Sequence, residues 1–252
     1  EINEDLDNRA NISINLSNIS SIYFTQHYFA QALDYAQKAL TINVDLGNKL
    51  VIAQSCTNIA DIYTALNNNS SALDFYSQAL DAYDGQENEE EQVAICLKVG
   101  DIYNDQGDQA VALDKYQKGI KIGKGLRSND DVAQCYYNIG EIYQKQGRYS
   151  VALENFQSAL KISERSENKR LVNYSCIKIG QIYSKQGKQD IAIDWLQKGA
   201  LMADKMGSEN ELGVAKTDLI NAYIARGDYR QAEKYLKEGW SIVRQKGGKE
   251  LK

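Results

Sequence analysis

From Ile139 to Ile162 the chain reads IGEIYQKQGRYSVALENFQSALKI, and its apolar positions recur at three and four rather than at two. That is the spacing of helices with one buried face. Ile139, Ile142 and Tyr143 mark one face of a first helix, and Ala152, Leu153, Phe156, Ala159 and Leu160 mark one face of a second. Gly147 lies between them and predicts a reversal, because a residue without a Cβ ends a helix in the left-handed conformation at little steric cost. Nearly the same line stands forty residues earlier, VGDIYNDQGDQAVALDKYQKGIKI, and forty residues later, IGQIYSKQGKQDIAIDWLQKGALM.

The register holds over the whole chain. Tyrosine falls at Tyr23, Tyr63, Tyr103, Tyr143, Tyr183 and Tyr223, and alanine nine residues after each, at Ala32, Ala72, Ala112, Ala152, Ala192 and Ala232. Self-similarity at one period of this length is the mark of stacked repeats, each too small to bury its apolar face alone. Four turns carry Gly107, Gly147, Gly187 and Gly227; the other two carry His27 and Asn67, residue types that tolerate positive φ. Twelve main helices and no sheet are therefore expected. The frame gives repeats at 9–48, 49–88, 89–128, 129–168, 169–208 and 209–248. Residues 1–8 read as the end of a preceding repeat's second helix, since EINEDLDNRAN aligns with TINVDLGNKLV, and 249–252 as the start of a following helix. Both ends suggest a piece of a longer protein.

Small residues predict close helix pairing. Ala60, Gly100, Gly140 and Gly180 stand three before the tyrosine, and Ala39, Ala79, Gly119, Ala159, Gly199 and Gly239 lie on the second helices. A helical glycine costs about 1 kcal/mol against alanine, so its repeated use implies a contact that offsets the loss.

The order large, Leu, Gly/Ala, Tyr, Ala, aromatic, Ala, met here by Tyr136, Ile139, Gly140, Tyr143, Ala152, Phe156 and Ala159, resembles the tetratricopeptide repeat. The period of forty and the absence of proline are similar to the long-repeat subclass seen in LGN-type adaptors and bacterial signalling proteins. The six extra residues are expected on longer second helices, where apolar positions continue at Ile42 and Leu46 and at Ile122 and Leu126. The sixth copy departs most, with Lys216 and Ile220 at pattern positions. The resemblance implies an all-α fold, an α-solenoid wound as a right-handed superhelix from six tandem helix-turn-helix repeats.

Composition narrows the chemistry. The formal net charge of -5 gives no basic excess for a phosphate backbone, so no nucleic acid partner is expected. No apolar run reaches membrane-spanning length, and no membrane insertion of this segment is expected. Cys56, Cys96 and Cys176 share one repeat position and Cys135 lies one place off, so they read as core residues, with no metal ligation and no disulfide. Reduced thiols favour a cytoplasmic location, the alternative being a periplasmic or extracytoplasmic sensor domain. His27 sits in a turn with no nucleophile near it in sequence, and GIKIGKGL lacks the strand that precedes a phosphate loop. No catalytic residue, no cofactor and no enzymatic activity are expected.

The resemblance also implies a binding stripe. In such arrays the first helices line a concave surface, and the position two after the large apolar residue points into it. Here that position holds Asn18, Asn58, Lys98, Asn138, Lys178 and Asp218. One turn on, Ser21, Asp61, Asp101, Glu141, Gln181 and Asn221 continue the stripe. Amides offer both donors and an acceptor to an extended backbone. Asn18, Asn58, Lys98, Asn138 and Lys178, with Asp61, Asp101, Glu141 and Gln181, are thus the candidate peptide-binding residues. The expected function is a non-enzymatic module that binds a peptide or an extended partner segment, within a larger regulatory protein. The alternative is a sensory domain that controls an attached kinase, cyclase or transcription factor.

Overall fold

The computed structural model describes residues 2–85, 87–126 and 129–247. Among them are twelve α-helices: α1 (Ile2–Thr25), α2 (Phe29–Leu46), α3 (Lys49–Ala65), α4 (Asn69–Tyr83), α5 (Glu89–Asp105), α6 (Gln109–Ile122), α7 (Asp130–Lys145), α8 (Tyr149–Arg165), α9 (Lys169–Lys185), α10 (Gln189–Met206), α11 (Glu209–Arg226) and α12 (Tyr229–Gly247). No strand occurs among the described residues. The chain divides into two compact units, Glu1–Ile122 and Gly123–Lys252. In the first, each helix from α2 to α6 packs on the one before it; in the second, the same holds from α8 to α12. Each unit is an α-solenoid of helix pairs.

The six turns inside the pairs are built alike, as the sequence predicts. His27, Asn67, Gly107, Gly147, Gly187 and Gly227 all have positive φ, from 56° at Asn67 to 88° at Gly107. In every one, the amide five residues after the repeat tyrosine closes back onto that tyrosine's carbonyl, from Tyr28 N–H to Tyr23 O at 2.9 Å through Asp228 N–H to Tyr223 O at 2.9 Å. This closure satisfies carbonyls that a helix end would leave bare. Asparagines start three of the first helices: the Asn48, Asn129 and Asn168 side chains accept from the amides of Val51, Val132 and Leu171.

Two boundaries differ from the expectation. The helix α1 runs unbroken from Ile2, so the expected break after residue 8 is not present. Asp7 stands where the frame places Gly47 and Glu167, which follow the ends of α2 and α8 with φ of 72° and 57°, and α1 makes no such turn there. The expected lengthening of second helices holds for α2, which reaches Leu46, but α6 stops at Ile122 and gives way to a 3-10 turn at Gly123–Gly125. Gly119, Gly123 and Gly125 within seven residues weaken the helix there, and Leu126 falls outside it. The helix start expected at 249–252 lies outside the described residues.

Packing follows the small positions, with a refinement. The alanines at 32, 72, 112, 152, 192 and 232 are all buried. A Cβ on Gly100 would fall 2.4 Å from the Tyr116 ring, on Gly140 2.8 Å from the Phe156 ring, and on Gly180 2.7 Å from Leu196 Cγ. Each glycine of the first helix is thus a socket for one large side chain of the second, rather than a point where two backbones meet. The first and last copies carry larger residues, Ser20 and Ile220, at the glycine position. Ser20 faces Ala36 and turns its hydroxyl to the Ala32 carbonyl at 2.8 Å, whereas Ile220 fills its own socket and Leu236 is left 44% exposed. Lys216, at the cysteine position, extends to Glu238 at 3.8 Å, its stem covered and its charge carried outward. The packing of Gly239 lies outside the described residues.

Candidate functional site

All four cysteines are buried and unbridged. Burial pushes the Cys56 thiol up to about 11 and the Cys176 thiol up to about 12, and raises Cys96 as well. A thiol is nucleophilic and metal-binding as the thiolate, so these positions are chemically quiet. Among the described residues no group of three His, Cys, Asp or Glu side chains is placed to hold a metal ion, and no helix is long and apolar enough to cross a membrane.

In each unit the stripe residues lie where successive first helices adjoin, and Lys98, Asp61, Lys178, Glu141, Gln181 and Asp218 bond to one another in pairs. Stacking offsets neighbouring first helices by almost one turn, so a residue meets the one 37 positions further on. In the first unit Lys98 donates from α5 to both carboxylate oxygens of Asp61 on α3, at 2.8 Å each. In the second unit Lys178 on α9 pairs with Glu141 on α7 at 2.6 Å, and Gln181 on α9 donates to Asp218 on α11 at 2.7 Å. Tyr76 and Tyr116, the large residues seated in the sockets, push their hydroxyls through to the same face. Tyr76 donates to Asp61 at 2.5 Å and Tyr116 to Asp101 at 2.7 Å. Asn138 accepts from Gln134 at 2.8 Å. Asn18 and Asn58 are exposed.

The strength of these rungs decides what they can do. Lys98 and Asp61 side chains are 41% and 32% exposed, and Lys178 and Glu141 27% and 33%. Ion pairs this wet contribute roughly 0–1 kcal/mol. They orient the stripe without locking it.

In the second unit the stripe borders a cleft of about 460 Å³ that the sequence did not single out. Tyr137 and Tyr174 form its aromatic wall, with ring centroids 6.3 Å apart. The Tyr174 hydroxyl accepts from Arg170 Nε at 2.9 Å and donates to Glu211 at 3.0 Å. The Arg170 guanidinium lies 5.5 Å from the Tyr174 ring centre. Its side chain is 72% exposed and reaches Glu211 only at 3.8 Å. Val214, 52% exposed, adds an apolar edge, and Lys178 and Gln181 complete the lining. Burial and the neighbouring Glu141 raise the Tyr137 phenol, which stays protonated. The signal for this cleft was present: Tyr174 and Val214 continue the stripe one turn towards each helix start.

Sequence comparison matches residues 11–84, 92–165 and 131–205 to the family described as Tetratricopeptide repeat. Comparison with curated proteins returns no match. Among solved structures, BtubC (BKLC) from P. vanneervenii is similar at 17% identity and a TM-score of 0.73, over 88% of this chain and 91% of that one. A STAND protein with a tetratricopeptide repeat sensor from Pyrococcus horikoshii gives 18% identity and a TM-score of 0.76, over 91% of this chain and 35% of that one. A Rap protein complexed with competence and sporulation factor gives 18% and 0.57, over 91% of this chain and 74% of that one.

Proposed function

The chain belongs to the tetratricopeptide repeat family, and we propose that it is a non-enzymatic interaction module whose first-helix faces bind an extended peptide segment of a partner. The cleft of the second unit carries this reading. Its tyrosine wall and Val214 suit one aromatic or aliphatic side chain. The exposed Arg170 beside them suits a carboxylate, with bidentate geometry that a guanidinium favours. Gln181 and Lys178, held by half-buried rungs, suit backbone carbonyls. The favoured ligand is therefore an extended segment with an apolar residue next to an acidic one. In the first unit Asn18 and Asn58, with Lys98, Asp61 and Asp101, offer the amide and charged groups of an equivalent surface.

A second reading is a regulatory domain that relays peptide occupancy to an attached output domain. The similarity to a signal transduction ATPase with a repeat sensor favours it, and both readings share the same binding step. Peptide display against the intact chain tests that step. Selected peptides should protect amides of α7, α9 and α11 from exchange, and Arg170→Ala with Tyr174→Ala should weaken them at least about tenfold, or 1.4 kcal/mol. Protection confined to α8, α10 and α12, with full affinity in the double variant, would refute the assignment.

A further inference from the structure

The pair-closing turns share one backbone and differ in charge. The positions two before and one after the left-handed residue hold Thr25 and Tyr28, Ala65 and Asn68, and Asp105 and Asp108 in the first unit, but Lys145 and Arg148, then Lys185 and Lys188, in the second. The turn closes with either sign at these positions, so the fold does not require the four cations. All four are exposed, and none pairs with a carboxylate among the described residues. Three of them lie over tyrosine rings instead: Arg148 4.5 Å from the Tyr143 centre, Lys185 5.8 Å from Tyr149 and Lys188 5.7 Å from Tyr183. Residues 144–151 and 184–191 contain a single carboxylate, Asp190, and Arg226 takes it at 2.9 Å. Arg148 and Lys185 stand 37 residues apart, the offset at which Asp61 meets Lys98 and Glu141 meets Lys178. Where the stripe puts an ion pair, the turns put two like charges. The imbalance extends to the whole unit: residues 1–122 hold 18 Asp and Glu against 7 Lys and Arg, whereas residues 123–252 hold 16 against 22. Cations without counter-charges repel one another and draw anions.

From these unpaired cations we propose that the edge of the second unit formed by the turns at Gly147 and Gly187 binds an extended acidic peptide segment. Adjoining first helices stand about 10 Å apart, and an extended chain covers that distance in three residues at ~3.3 Å each. Carboxylates at i and i+3 therefore reach both turns, with the Tyr149 ring beneath the residues between them. Nucleic acid is disfavoured as the occupant, because the net charge of -5 opposes a long polyanion. The edge shares no residue with the cleft and does not depend on it.

Fluorescence anisotropy with the intact chain and a labelled peptide of repeated Glu-Gly-Ser units, at low ionic strength, tests the assignment. Saturable binding that salt weakens is the expected result. Arg148→Glu with Lys185→Glu should weaken it at least about tenfold. Lys161→Glu with Lys205→Glu makes the same change of charge at exposed positions of α8 and α10, and should leave binding largely unaltered, as should Arg170→Ala with Tyr174→Ala in the cleft. Far-ultraviolet circular dichroism checks that each variant is folded. Equal losses in the two charge-reversed pairs would overturn the proposal, because net charge and not the edge would then carry binding. So would absence of saturable binding, or tighter binding of an oligonucleotide of the same charge. Self-association of the chain that Arg148→Glu with Lys185→Glu abolishes would also overturn it, because the edge would then serve a second copy.

Discussion

Gly180 and Gly213 both lie inside first helices, yet alanine at the two sites should move stability in opposite directions. At either one the helix gains about 1 kcal/mol from removing a glycine. At Gly213 a Cβ meets nothing within 4 Å, so that gain should stand alone. At Gly180 it would lie 2.7 Å from Leu196 Cγ, 2.9 Å from Cδ2 and 3.1 Å from the Ala192 carbonyl oxygen. Leu196 is fully buried and cannot swing out, and the carbonyl belongs to α10's backbone. Overpacking of this kind costs about 1–3 kcal/mol. Gly180→Ala should therefore be neutral to about 2 kcal/mol destabilising, while Gly213→Ala stabilises by about 1 kcal/mol. Leu196→Ala alone should cost about 2–5 kcal/mol, and less when Gly180→Ala is already present, because the new methyl occupies part of the vacated socket. Urea unfolding followed by far-ultraviolet circular dichroism gives the free energies. Amide exchange in α9 and α10 localises them, since a stack of repeats can open in steps. Equal stabilisation at both glycines, with additive behaviour of the Gly180 and Leu196 changes, would refute the socket account.

The thiols make a chemical prediction. Cys56 and Cys176 hold their protons to about 11 and 12 against an ordinary 9.0. The unfolded chain loses them first, so their stabilising contribution should be complete below pH 9 and disappear as pH rises through 9 to 12. Native protein at pH 8 should alkylate far more slowly than the urea-unfolded chain, and rapid native labelling would contradict the buried placement. The rungs make a second: Lys98→Ala and Lys178→Ala should each shift stability by no more than about 1 kcal/mol, measured by thermal melts, and a loss above about 3 kcal/mol would make them braces. The sixth copy makes a third. Ile220→Ala should cost less than the roughly 2–5 kcal/mol of an ordinary buried truncation, because Leu236 can enter the emptied socket; a full-sized loss in chemical denaturation would mean that Leu236 stays out.

The helices and their turns were legible because they answer to local rules repeated at one interval. A left-handed residue after each first helix is a property of a few neighbours, and His27 and Asn67 obey it as well as the glycines do. Where the local rule changes, the frame misleads. The helix α1 runs on through Asp7, at the frame position where Gly47 and Glu167 turn the chain, and the glycines after Lys118 end α6 early. The stripe was legible as a set of positions, since Asp61, Asp101, Glu141 and Gln181 recur in register. Its bonding was not, because a rung joins residues 37 apart and that offset is fixed by how two first helices stack. One clue crosses this gap. Aspartate at 61 and 101 accompanies tyrosine at 76 and 116, whereas glutamate at 141 and glutamine at 181 accompany Phe156 and Leu196. Socket residue and stripe residue change together because a phenol long enough to cross the pair needs an acceptor at its end, and the short carboxylate stands where the hydroxyl emerges. The core and the stripe are thus joined through one side chain. Tyr116→Phe should leave its socket filled while freeing Asp101 from the phenol, a change that reaches the stripe without passing through any residue of it.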